Sequence, residues 1–565
     1  MKKIKVYLSA LLMGLTVSSC NDYLTLMPLN EIVMENFWTN KDDVESVLLG
    51  AYASLESKDC VVRMSIWGEM RSDNITAGKS PDDDILQILR DNILATNQWT
   101  KYKCFYEAIN NANTVLYFAP GVNEIDPNYT RGQYEADKAE AIAIRSLCYW
   151  YLIRAYKDVP YTTEPSIDDT KDFFLGQTPF DSVLNCLIRD LEGIKGKTKE
   201  KYLKELENTS RFTRTAVYSM LADMYLEKGE WDKCIECCEV VNEIKMDEYK
   251  DLLDEEGNAC TVTLFNNYPL FKEDYQSMKG TVVGNAYNEI FGKGNTFEVI
   301  FELPFDNKKK NPLVDDYYSK KELNGGKLKA TNEACKDAYT QLYDVRFYEN
   351  IRGGSDEGYI VKYAYQEVAA DLSSGSAIST TNSQGGEFSA SGRESTSPNW
   401  IIYRYSDVLL MEAEAKIMKA KDLGGNDSLP AAVVTLFNEA FQLIDAVNQR
   451  ALGGYAGADR LDFTSYNSNA DDMEELVLDE RRRELMFEGK RWFDLARKSR
   501  RDGNTKYLWE KIEPKFDSNS RSAVRIKMTD PDAVYFPFNR DEIKINTKLK
   551  QNPVYVEDEF IQKAQ

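Results

Sequence analysis

Glu480-Arg481-Arg482-Arg483-Glu484 is the densest run of potential chemistry in the chain. On a helix, Glu480 and Glu484 stand one turn apart on one face, and Arg483 reaches Glu480. Two carboxylates in that relation suggest the acid and base of glycoside hydrolysis, and three guanidiniums suggest an anion clamp. The other reading is an ion-paired helix that locks neighbouring elements, with Trp492 and Phe493 packed on it. Paired charges on helices are usually structural, which favours this second reading. Asp407, in an apolar helix near Arg404, reads the same way. His is absent from all 565 residues, which removes the Ser-His-Asp triad, the Cys-His pair and the HExxH zinc site. The 92 acidic residues leave a carboxylate-dependent glycosidase open, but no local motif arranges them for it, so the chain reads as a non-enzyme.

Binding needs other residues. A pyranose offers an apolar face to Trp or Tyr and hydroxyls to Asn, Asp, Arg or Gln. Most of the 8 Trp and 34 Tyr lie in helical patterns and belong to the core. The aromatic and polar residues in expected loops are the candidates: Trp67, Arg71, Asp73 and Asn74 within one short stretch, Trp99 after a polar turn, and Tyr268, Tyr317 and Tyr318 in irregular segments. Packing competes with ligand contact at each of them. Cys234-x-x-Cys237-Cys238 resembles a metal cluster, but it sits in a helical pattern with no fourth ligand, so it reads as packing and no metal or cofactor is implied. The net charge of −22 opposes nucleic acid as a partner.

These residues must be held by helices. Tyr134–Tyr156 has helical periodicity, with Ala139, Ala141 and Ala143 beside bulky residues. Residues 214–239 read as two helices broken at Lys228-Gly229-Glu230. A small-residue helix, a turn near Gly and a second helix form the tetratricopeptide pattern, with a period of roughly 34 residues. Trp400–Lys419 with Pro430–Arg450 is another candidate pair, and Asp472–Arg500 is a further helical stretch. Thr296–Leu303 reads as a short strand. Lys308–Ala330 and the Ser/Gly/Thr-rich Leu372–Pro398 read as long surface insertions. The expectation is a mainly α fold: one continuous tetratricopeptide-like scaffold whose long irregular insertions build a binding face, with few short strands. No sharp linker divides it.

The N-terminus carries an address. Lys2, Lys3 and Lys5 precede an apolar stretch, Val6–Val17, that is too short to span a bilayer. Val17-Ser18-Ser19-Cys20 resembles a lipobox. Residues 1–19 are therefore expected to be a lipoprotein signal peptide and Cys20 the lipidated N-terminus; more than one acyl chain gives stable anchoring. Nine other cysteines remain, an odd number with no regular disulfide spacing.

Six collinear blocks resemble the SusD/RagB family of outer-membrane lipoproteins of Bacteroidetes. They begin with Asn21-Asp22-Tyr23-Leu24, Phe37-Trp38 and Gly50-Ala51-Tyr52. Trp99, Tyr106–Ile109 and Asn113 follow, then Ala139–Ala141 with Tyr149–Leu152 and Asp158-Val159-Pro160. Tyr343–Arg346 follows the strand at Phe297–Phe301. The most specific blocks are Tyr403–Met411 with Ala413-Glu414-Ala415, Glu480–Leu485 with Phe487-Glu488-Gly489 and Arg491–Leu495, and the closing Phe536-Pro537-Phe538 with Gln551–Tyr555. Lys157 and Val554 stand where the family usually has Gly. The resemblance implies a mainly α protein, a tetratricopeptide-like scaffold of four helix pairs with an irregular, loop-rich, ligand-facing half, forming one domain over 20–565 with an N-terminal part to about 230 and a C-terminal part from about 260. It implies a surface-exposed glycan-binding protein that delivers oligosaccharides to a SusC-like TonB-dependent transporter, with no catalytic residue and no obligatory cofactor. A RagB-like peptide-capturing protein of the same machinery is the alternative, and a purely structural repeat protein is a further one.

Overall fold

The computed structural model describes residues 37–556, except 168–173, 258, 260, 277–280, 284, 319–324, 340–343, 353–356, 372–387, 393–397, 427–428 and 454–458. The signal segment 1–19, Cys20 and Cys260 therefore lie outside the described residues, as does most of the expected insertion at 372–398. Helix accounts for 60% of the structure and strand for 7%, so helices carry the core.

The main helices are α1 (Lys41–Leu55), α2 (Lys103–Ile125), α3 (Arg131–Tyr156), α4 (Arg214–Lys228), α5 (Trp231–Asp251), α6 (Tyr405–Asp422), α7 (Ala431–Ala451), α8 (Ala470–Leu485) and α9 (Arg491–Asp502). Each start has a local cause. Asn40 accepts backbone N–H groups of α1 and forms a capping box with Asp43. Thr130 caps α3 and Thr213 caps α4 through their hydroxyls. Helix α4 stops at Gly229, whose φ of 78° is the left-handed C-cap that Gly adopts without strain. Short connections make hairpins of α2 with α3, α4 with α5 and α6 with α7. Helix α1 lies on α2, α5 on α6, and α8 across α6 and α7. Their apolar faces merge into one cluster running from Trp38 to Leu549.

The strands are short: β1 (Ile75–Ala77), β2 (Val262–Phe265), β3 (Tyr268–Phe271), β4 (Val299–Leu303), β5 (Leu328–Ala330), β6 (Tyr365–Asp371), β7 (Phe388–Gly392) and β8 (Trp400–Arg404). The expected strand at 296–303 is β4, fully buried and antiparallel to β8. Residues 400–404 are thus strand and not the start of a helix. Alternating burial does not warn of this, because all five residues are buried. Both expected insertions contribute strand residues. Within 308–330, β5 pairs antiparallel with β1, and within 372–398, β7 pairs with β6.

The stretch Asp472–Arg500 is two helices. Between α8 and α9 the chain turns at Phe487 and Gly489, with φ of 67° and 73°. This corner is filled from the N-terminal half by a wide helical turn, Ile66–Met70. Glu69 of that turn accepts the backbone N–H groups of Phe487, Lys490 and Arg491, which start α9. Gly68 lies so close that an added Cβ would sit 1.9 Å from the carbonyl oxygen of Gly489. Gly68→Ala is expected to cost about 3 kcal/mol through forced displacement of two backbones. Urea unfolding would show it, and a loss within about 0.5 kcal/mol would mean that the two segments separate freely.

Candidate functional site

The Glu480–Glu484 run forms a saturated interior lattice. Arg346 donates to both Glu480 (2.7 Å) and Glu484 (2.9 Å). Arg404 bonds Glu484 at 2.5 Å and binds Glu488 through two contacts of 2.8 Å, while Arg450 also donates to Glu484. Glu484 is 3% exposed and Glu480 0%, so both carboxylates are interior groups whose oxygens face guanidinium partners. Burial opposes their ionised forms, but the surrounding arginines hold both carboxyls below the usual range. A general acid needs the opposite shift. Asp407 pairs with Arg481 and Lys490, each at 2.9 Å, and not with Arg404. Arg481 also forms two 3.0 Å bonds with Asp494, and Arg497 joins Asp494 to Glu414. The run therefore ties β8, α6, α7, α8 and α9 together.

Most of the loop residues chosen as ligand contacts are interior as well. Trp67 is fully buried, stacked on Phe105, with its indole N–H donating to the Trp99 carbonyl. Arg71 bonds Asp91 and the carbonyls of Ala533 and Val534, and its guanidinium lies 4.1 Å from the Trp492 ring centre. Burial would raise the Asp73 pKa, but Arg482 and Arg491 hold the carboxyl well below the usual range. Asn74 links Glu69 to Arg482. Trp99 packs edge-on to Tyr317, under the Arg63 guanidinium. Tyr318 donates to the Phe487 carbonyl. Trp67, Trp99 and Tyr317 do come together, as an internal aromatic column. The polar residues in the same short stretch signal buried ion pairs that anchor the N-terminal half on α8 and α9. As placed, these seven side chains are at most 5% exposed and present no face to a ligand.

Tyr268 is different. It starts β3, half-buried, after a two-residue hairpin turn at Asn266 and Asn267 with φ of 46° and 72°. Both angles are positive, as the twist of a tight hairpin requires, and Asn tolerates them. The Asn266 amide donates to the Gln442 carbonyl and to Asp445, which fixes the hairpin on α7. Tyr268 thereby forms a wall of an open cleft of about 780 Å³, between the hairpin, α5 and the start of α6. Asn267, Asn242, Glu243, Asp247 and Lys250 line the same space. At its base, the buried Tyr405 hydroxyl and the Asn242 side-chain oxygen have no hydrogen-bond partner among the described residues. Unpaired polar atoms of this kind are rare in folded proteins. The Asn242 amide donates to Glu412, whose carboxyl burial pushes up to about 7. The sequence contains one clear pointer to this site: Asn266-Asn267 between Phe265 and Tyr268 is a hairpin signal. Nothing in it brings Asn242 and Tyr405 to the same place.

A larger cleft, of about 1210 Å³, opens on the other flank of α5. Threonines 209, 213, 215, 261 and 296 and the half-buried Phe297 line it, and Lys245 lies over the Phe297 ring.

Two family models match the chain. The SusD family model matches residues 310–555, and the model described as "Starch-binding associating with outer membrane" matches 22–226. The chain belongs to the SusD/RagB family. Members of the family are binding proteins without catalysis. SusD-like protein P38 of Formosa agariphila is 24% identical over 520 residues, covering 88% of this chain and 92% of that one. SusD-like protein P2 of the same organism is 24% identical and covers 92% and 95%. The fold matches a SusD superfamily crystal structure from Bacteroides thetaiotaomicron with a TM-score of 0.62, 18% identity and coverage of 92% and 99%. One from Bacteroides vulgatus gives a TM-score of 0.64, 18% identity and coverage of 92% and 100%. Most of the Tyr268 cleft lies in residues 227–309, between the two family matches.

Proposed function

We propose that this SusD-like protein captures oligosaccharides at the outer membrane and passes them to a SusC-like TonB-dependent transporter. Residues 1–19 serve as its signal peptide, and lipidated Cys20 tethers a single domain, 20–565, facing the exterior. The helix hairpins act as tetratricopeptide-like units that present the loop-rich half. The observation that carries the reading is the Tyr268 cleft. It combines one aromatic face with amide and carboxylate groups, the combination that a sugar ring with an apolar face and hydroxylated rim uses. Its bond-forming groups are anchored on helices and a fixed hairpin, which limits the ordering cost of binding.

Screening a glycan array beside a peptide library tests the reading directly. Saturable binding to a glycan class is the expected result. Binding to peptides alone would transfer the cleft to the peptide-capturing alternative. Within the cleft, Tyr268→Leu keeps the bulk but removes the ring. It is expected to weaken glycan binding about tenfold, as loss of one stacking contact. Unchanged affinity by calorimetry would remove Tyr268 from the site.

A further inference from the structure

The face around the C-terminal half of α5 is negative, and its cations are already engaged. Lys250 pairs with Asp247 at 2.8 Å, and Lys245 with Glu248 at 2.8 Å. Lys416, behind the Tyr268 cleft, pairs with Glu439 and Glu412 at 2.7 and 3.4 Å. Glu243 lines the cleft exposed, with no ion-pair partner among the described residues. The charges that push the Tyr268 hydroxyl pKa up, after burial itself, are those of Glu412, Glu439 and Glu239. The backbone adds to this. Helix α5 ends at Asp251, so its negative dipole end faces the same side, and Glu255 and Glu256 follow in the chain. Acidic groups at a helix C-terminus work against the helix dipole, so this arrangement does not serve α5 itself.

We propose that the Tyr268 cleft selects its glycan by charge, admitting neutral or amino-bearing sugars and rejecting uronate or sulfated ones. The proposal rests on the glycan reading above and narrows its ligand class. An anionic ring stacked on Tyr268 meets Glu243, and among the described residues the lining cation, Lys250, is already paired with Asp247. A neutral ring uses the same oxygens, with the exposed Asn267 amide, as hydrogen-bond partners. A protonated amino sugar gains attraction from them.

The test is a glycan array of neutral, amino and acidic sugars probed at low salt with the full-length protein in detergent. Neutral or amino-bearing glycans are expected among all the tight binders. A uronate or sulfated glycan in that group overturns the charge proposal and leaves glycan capture standing. Binding to no glycan overturns both. The second arm uses the surface substitution Glu243→Lys with Asp247→Lys. Binding of a chitosan oligosaccharide is expected to weaken about fivefold and binding of an oligogalacturonate to rise by a similar factor. Both effects should fade at high salt as the charges are screened. Affinities that the double substitution leaves unchanged, or an absence of binding to both probes before and after it, would overturn the proposal.

Discussion

Glu484→Gln is expected to destabilise the protein by about 3–5 kcal/mol, although it alters one atom type in a side chain that touches no ligand. Glu484 is the shared anion of Arg346, Arg404 and Arg450, all of them buried. Neutralising it leaves three guanidiniums in the interior with too little compensating charge. Arg346 keeps Asp344 and Glu480, and Arg404 keeps Glu488, so those two remain partly satisfied. Arg450 keeps only Glu298, at 3.4 Å or more, and carries most of the cost. The Glu484 carbonyl, near the C-terminal end of α8, accepts from Lys362 and Arg404, so the local helix end is held by the same cations. Urea unfolding of the variant beside Arg483→Ala gives the comparison, because among the described residues the Arg483 guanidinium bonds only Glu480, and it lies nearer the surface. A Glu484→Gln loss no larger than that of Arg483→Ala would show the lattice to be dispensable.

Stability is also expected to peak at mildly acidic pH and to decline on both sides, for opposite reasons. Burial opposes ionisation of Asp73, Asp407, Glu414 and Glu484, yet neighbouring arginines and Lys490 hold them well below ordinary carboxylates. A depressed folded pKa gives stability above the unfolded value, and it is lost as pH falls through the folded one. Glu69 and Glu302 behave in reverse, because burial pushes both up to about 7 from 4.5. Their contribution is full below the unfolded pKa of 4.5 and is lost as pH rises through about 7. Glu302 is the cleaner case. Its carboxylate, on β4, accepts from the Asn295 N–H (2.7 Å) and the Thr209 hydroxyl (3.1 Å), while its second oxygen has no hydrogen-bond partner among the described residues. Glu302→Gln removes the charge without changing the size. At pH values above 7 it is expected to gain on the order of 3 kcal/mol over the parent, and near pH 5 the two should match. Thermal unfolding across pH checks this, and a parent protein more stable than the variant at alkaline pH would reverse the assignment.

Particular residues show how much of this was legible in the chain. The break at Gly229 and the small-residue face of α3 could be read directly, because a left-handed C-cap and close helix approach each demand one residue type. The structural reading of Glu480–Glu484 followed from helical spacing, although spacing named Arg483 alone among its partners. Arg346, Arg404 and Arg450 lie between 34 and 138 positions away in sequence. Trp67, Arg71, Asp73 and Asn74, chosen as ligand contacts, lie in the interior, which composition does not announce, because a mixed aromatic and polar stretch reads the same whether it faces solvent or a buried ion pair. Only Arg491 and Asp91 show which applies here.

The sequence by itself determined the helical class, the family and the absence of histidine chemistry, since each is carried by local spacing or by residue counts. Tertiary structure alone decided which charges are buried and where a ligand finds room. The Tyr268 cleft draws on α5, the β2–β3 hairpin and α6, whose residues Asn242, Asn267 and Tyr405 meet only after the core has packed. A cavity is the space that packing leaves, and no single segment encodes it.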